Sequence, residues 1–168
     1  MKKIATLTIC AVMALSAAAL TGCGDSSDSS GAGTSKSASA DRDVSKTADK
    51  LLNDIAYKDQ LTELGEDKIE GVVGVSKDLF KSAKVYRGSG ATAEEIDCFE
   101  AVDEDAAKQI ESTLESYVED LKARFKDYAP GEMDKLEKAV LVRDGKYVFL
   151  SISDDDAKAK EIIGGQPV

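Results

Sequence analysis

The chain has 168 residues, 22 of them basic against 32 acidic, with neither histidine nor tryptophan. A formal charge of −10 repels phosphate backbones, which argues against any nucleic-acid role. Without histidine, a Ser-His-Asp triad and a His-ligated zinc centre are both ruled out.

Met1-Lys2-Lys3 is a short positive start, and residues 4–20 are apolar apart from Thr6, Thr8 and Ser16. A charged start, an apolar run and small residues before a cut are the marks of a secretory signal. As a helix this run would reach roughly 26 Å, short of the ~30 Å hydrocarbon core of a bilayer. No basic stop-transfer cluster follows it. Leu20-Thr21-Gly22-Cys23 has the form of a lipoprotein processing site. The pattern predicts a signal peptide at 1–22, cleavage before Cys23, and a diacylglycerol on the Cys23 thiol. Two acyl chains give stable membrane residence where one would be marginal. The expected address is the extracytoplasmic face of the cell membrane, lipid-anchored. Losing Lys2 and Lys3 with the leader sets 20 basic residues against 32 acids, a charge of −12. Such a surface repels anionic headgroups, so contact with the bilayer is expected through the lipid on Cys23 alone.

Residues 23–42 are mostly Ser, Gly, Ala, Thr and Asp. They have too little apolar surface to offset chain entropy, and a disordered tether of roughly 20–25 Å mean reach is expected. Residues 43–164 are long enough for one domain with one core. The first helix is expected over 43–56, with Val44, Ala48, Leu51, Leu52 and Ile55 on one face. Leu61 to Leu64 is too short to classify, and a helical turn is expected near Glu66 to Gly71. A strand over 82–87, a turn at Gly88-Ser89-Gly90 and a returning strand over 96–101 follow. On the second strand Ile96, Cys98 and Glu100 share one face, with Asp97, Phe99 and Ala101 on the other.

The clearest periodicity runs over 103–126, where Ala106, Ile110, Leu114, Tyr117, Val118, Leu121 and Phe125 make a broad apolar stripe. Asp103, Glu104 and Asp105 complement the dipole at its start, and Lys122, Arg124 and Lys126 at its end. Pro130-Gly131 breaks the chain, and a short helix is expected over 132–138. Asp144-Gly145 between two β-rich runs predicts a hairpin. Both runs, 139–142 and 147–150, are apolar on consecutive residues and are expected to be central strands. Ser153 is expected to cap a last helix reaching Ile163. The order helix, hairpin, long helix, hairpin, helix implies an α+β fold, an antiparallel sheet from two hairpins packed against two or three helices.

Gly90-Ala91-Thr92-Ala93-Glu94-Glu95-Ile96 and Phe99-Glu100-Ala101, ahead of a long acidic helix, resemble a block of the lipoprotein domain family DUF4358. Lys146-Tyr147-Val148-Phe149-Leu150 with Asp154-Asp155-Asp156-Ala157 resembles that family's closing hairpin and helix. The resemblance covers about residues 47–163. It implies the lipoprotein address and carries over no active residue, because these motifs are structural.

Four groups have residue types that could form a site. Cys10 departs with the leader and Cys23 carries lipid, leaving Cys98 without a disulfide partner. Neighbouring acids disfavour a Cys98 thiolate, so Cys98 reads as a core residue. Gly88 to Thr92 is read as a hairpin turn, since it matches no phosphate-binding fingerprint. Asp103-Glu104-Asp105 and Asp154-Asp155-Asp156 are read as helix starts, lacking the spacing of a calcium loop. No catalytic residue, cofactor or metal site is assigned. The expectation is a non-catalytic binding module with a partner protein in the envelope. The alternatives are a small-ligand or cation-binding module, or an enzyme using a pair of facing carboxylates.

Overall fold

The structure, a computed structural model, describes residues 42–164. The signal at 1–22, Cys10, Cys23 and residues 24–41 of the tether lie outside the described residues. Among the described residues no helix is long and apolar enough to cross a membrane.

Helix α1 (Val44–Asp54) starts on Asp43, whose carboxylate accepts the N–H groups of Ser45 and Lys46. This satisfies donors that the first turn otherwise leaves open. Strand β1 (Thr62–Glu63) precedes α2 (Glu66–Val73), which ends on Gly74 at φ +85. Strands β2 (Phe80–Arg87) and β3 (Glu95–Ala101) form the first hairpin. The long helix α3 (Glu104–Tyr128) follows, capped by Asp103 through the Ala106 N–H at 2.8 Å. A 3₁₀ turn at Pro130–Glu132 leads to the short helix α4 (Met133–Glu137). Strands β4 (Val140–Asp144) and β5 (Tyr147–Ile152) form the second hairpin, and α5 (Asp156–Gly164) closes the described chain.

The strands form an antiparallel sheet in the order β1-β2-β3-β5-β4. The architecture is therefore α+β. Period-two alternation sends Ile96, Cys98, Tyr147 and Phe149 to one face, where α1 and α5 bury Leu51, Ala159, Ile162 and Ile163. Val85, Phe99, Val148 and Leu150 go to the other, beneath Ile110, Leu114 and Leu121 of α3. Ile69 of α2 and Leu136 of α4 complete that second core. Each fully buried aliphatic side chain contributes roughly 1.5–3 kcal/mol.

Three local expectations are corrected. β4 is an edge strand, and only β5 of that hairpin is interior. Consecutive residues of β4 are nonetheless apolar because α3 packs on one of its faces and α5 on the other. The hairpin turn is Gly145-Lys146, one residue later than the Asp-Gly step, with Gly145 at φ +57 and Asp144 still paired to Tyr147. The cap of α5 is Asp155, which accepts the Lys158 N–H at 2.9 Å, while Ser153 accepts the Asp155 N–H in the approach.

The two ends of the sheet differ. At one end Arg42 donates to the Ile163 carbonyl at 2.6 Å, pairs with Asp144 at 3.1 Å and lies over the Phe149 ring. It lines a surface hollow with Ser82 and Glu100. The loop from Gly88 to Glu94 lies at the opposite end, since β3 runs the full width from Glu95 to Ala101. At ~3.4 Å per residue that separates the two ends by roughly 20 Å.

Candidate functional site

The end of the sheet away from Arg42 gathers the buried charges. Strand β3 places Glu95 and Asp97 on the α3 face, in line with Phe99 and Ala101. Asp97 lies between Val85 and Leu150 in the sheet and is fully buried. Neither of its carboxyl oxygens has a donor. Glu95 is 2% exposed, accepts the Tyr117 hydroxyl at 2.8 Å and pairs with Arg87 at 3.2 Å. The Arg87 guanidinium also lies over the Tyr117 ring.

Burial pushes the Asp97 carboxyl well above its ordinary range, and the neighbouring Glu95 charge pushes it further. Burial raises Glu95 as well, against the opposing pull of Arg87 and the Tyr117 hydroxyl. With both carboxyls buried two residues apart on one strand face, each disfavours the charge on the other, and ionising both is opposed. Arg87 is the cation that pairs with this site.

A second knot lies beside it. Glu94 accepts the N–H groups of Lys58 and Asp59, the Thr92 hydroxyl at 3.2 Å, and the Lys135 ammonium at 2.9 Å. Lys135, its side chain 1% exposed, also reaches Glu132 at 2.8 Å, and Glu132 accepts the Ala93 N–H. Desolvation opposes the charge on Glu94, but the Asp59 N–H, Lys135 and the Lys58 N–H together hold its carboxyl below the usual range. This knot ties the loops after α1 and β2 to α4. Its members are committed to one another.

Above the pair opens a cleft of about 250 Å³ between the β2–β3 loop and the last turns of α3. Arg87 and Glu95 form its floor, Leu121 and Phe125 its wall, and Arg124 and Tyr128 its mouth. Arg124 bonds only to the Asp120 carbonyl of its own helix, at 3.4 Å, and forms no ion pair among the described residues. Tyr128 is 73% exposed and meets Phe125 edge to face.

Gly88 to Thr92 lines this cleft, although the sequence suggested a plain turn. Gly90, at φ +92, lets the loop turn there, and Asp59 accepts the Ser89 N–H and hydroxyl. No helix begins behind the loop, because β3 starts at Glu95, so a dipole-backed phosphate cradle is absent there. Cys98 lies on the α1 face, fully buried, and burial pushes its thiol well up. Asp103 and Asp155 act as caps, Asp105 pairs with Lys108, Asp156 with Lys160, and Asp154 with Lys58. Among the described residues no three acidic or cysteine side chains gather as a metal site would require.

The site was only half visible beforehand. Period-two alternation assigns Asp97 to the Phe99 face, and Glu95 follows by the same step. The burial of both depends on α3 arriving overhead. Lys135 and Arg124 carried no local signal, since each looks like an ordinary solvated lysine or arginine on a helix.

An antiparallel sheet between two helical layers, with a carboxyl pair sealed under an arginine-lined cleft, defines the class as an α+β domain with one polar pole. Residues 53–153 match the family model described as Domain of unknown function (DUF4358), and the chain belongs to that family. No curated protein and no solved structure matches it.

Proposed function

We propose that this is a lipid-anchored extracytoplasmic binding protein, held by diacylglycerol on Cys23 and acting without catalysis on a partner in the cell envelope. The observation that carries it is the opposition of the two poles. The chain leading from Cys23 joins the domain at Arg42, which is fixed to Ile163 and Asp144. The cleft opens at the other end of the strands, roughly 20 Å away, so attachment through Arg42 leaves it unobstructed. Binding is favoured over catalysis by the commitments of the acids. Glu95 is held by Arg87 and Tyr117, Asp97 is sealed from solvent, and Glu94 is saturated with donors. A general acid or base has to reach a substrate proton.

Two measurements test this. In native cells the wild-type chain partitions into the detergent phase, and Cys23→Ser leaves it in the aqueous phase or unprocessed. Unchanged partitioning removes the anchor. Pull-down from solubilised membranes, with and without residues 43–164, then tests the partner. The same proteins recovered in both cases would overturn the binding role.

A further inference from the structure

Arg124 stands exposed beside a cleft, in a chain of net charge −10, and forms no ion pair among the described residues, although the buried Glu95 below attracts it. The other charges there are balanced locally, Arg87 by Glu95 and Glu94 by Lys135. The closing turn of α3 directs its negative dipole end toward this region, so the guanidinium, not the helix, supplies any attraction for an anion. Cations are repelled by the two arginines. Beside Arg124 the surface is apolar, with Leu121 and Phe125 behind and Tyr128 exposed at the rim.

We infer that this cleft binds a carboxylate joined to an aromatic or bulky apolar group, the carboxylate on Arg124 and the apolar body against Leu121, Phe125 and Tyr128. A planar guanidinium meets a carboxylate through two parallel N–H donors, a match an ammonium does not offer. Size agrees. A cavity of ~150 Å³ accommodates benzene, and 250 Å³ therefore holds a ring with a short acidic arm. An exposed tyrosine stacks an apolar body with little entropy loss, because it has few rotatable bonds. Arg87 sits too close to Glu95 to take the anion alone, and it adds positive potential from below. Two sources share this chemistry, the C-terminal residue of a polypeptide and a free aryl or branched-chain acid.

This rests on the binding role proposed above, and its test is independent of the anchor. The lipidated mature protein in maltoside micelles is titrated with N-acetyl-phenylalanine and with its amide, following the Gly90 amide and Arg124 Nε–H resonances. Saturable shifts with the acid and none with the amide are expected. Arg124→Gln should weaken the acid roughly tenfold or more, the scale of one charged bidentate contact. Tyr128→Ala should weaken it several-fold. Both side chains are exposed, so both variants should melt with wild type. Equal response to acid and amide, or unchanged affinity in Arg124→Gln, overturns the inference. So does inorganic phosphate producing the same saturable shifts, since it lacks an apolar body. Ala-Ala-Phe and 3-phenylpropionate then separate the sources. Tighter binding of the peptide supports a chain end, and equal or tighter binding of the free acid supports a small metabolite. If neither acid saturates by millimolar concentration the inference fails, while detergent-phase partitioning of the anchored protein is unaffected.

Discussion

The hydroxyl of Tyr117 meets the carboxylate of Glu95 at 2.8 Å, joining the middle of α3 to the first residue of β3. Both side chains are buried, so this bond replaces water for a charge that has left it. Tyr117→Phe keeps the ring and removes the donor. An unsatisfied buried acceptor costs about 1–3 kcal/mol. Urea unfolding at neutral pH should show a loss of that size. The loss should shrink in acid, where Glu95 is protonated and needs the donor less. An equal loss at every pH would mean the ring packing, not the hydrogen bond, was disturbed.

The carboxyl pair also sets how stability depends on pH. Asp97 and Glu95 have folded pKa values raised above their ordinary 3.8 and 4.5. The folded chain therefore keeps a proton that the unfolded chain releases. That contribution is complete below the unfolded values and is lost as pH climbs through the folded ones. Glu94, Asp154 and Asp43 are held low, have the opposite sign, and matter only in acid. The groups facing the pair are Arg87, Tyr117 and Arg124, and burial pushes the Tyr117 hydroxyl well up. The chain has no histidine, so above the ordinary carboxyl range and up through the folded values of this pair the slope is set by the pair. Stability from urea midpoints should fall with rising pH there, by up to ~1.4 kcal/mol per unit. Asp97→Asn should flatten the curve and be the more stable protein at pH 8. A flat wild-type curve would show that no proton is retained.

How much of this was readable in advance follows from where the determinants lie. Helix α3 and its first-turn acids were legible because Ile110, Leu114, Tyr117 and Leu121 repeat within one element. The β4–β5 hairpin was legible for the same reason, since Gly145 and the runs beside it are local signals. The edge position of β4 was not, because consecutive apolar residues report covered faces and say nothing about which strand lies alongside. The cap of α5 was misplaced by two residues, as Ser153 and Asp155 are equally good capping types and only the path of the chain chooses between them. The shared face of Glu95 and Asp97 was legible from their two-residue spacing, but their burial beneath α3 was not, and the Lys135 knot joins residues 41 positions apart, a meeting no pattern in a single sequence encodes.

Lys135 tests the second knot. Its ammonium answers Glu94 at 2.9 Å and Glu132 at 2.8 Å with almost no solvent access. Breaking a buried pair from one side costs about 3–5 kcal/mol, because the remaining charge is stranded. Lys135→Met fills the volume without the charge. Glu94 still has its backbone donors, and Glu132 the Ala93 N–H, so the lower part of that range is expected. Lys135→Met with Glu94→Gln should recover part of the loss. Additive losses in that double variant, measured by denaturant unfolding, would show that the two side chains are not energetically coupled.

Arg42 tests the opposite pole. Its guanidinium holds the Ile163 carbonyl and Asp144 while covering the Phe149 ring, so it fastens the start of α1 to the end of α5 and to β4. The Ile163 carbonyl lies in the last turn of its helix, among the carbonyls that have no partner within the helix itself. Arg42→Gln should lower stability by about 1–3 kcal/mol, the scale for losing a charged hydrogen bond. Hydrogen exchange locates the effect. Amides in the first turns of α1 and the last turn of α5 should exchange faster, while those of β3 keep their protection. Uniformly faster exchange across the sheet would mean that Arg42 supports the whole core and is not a local clasp.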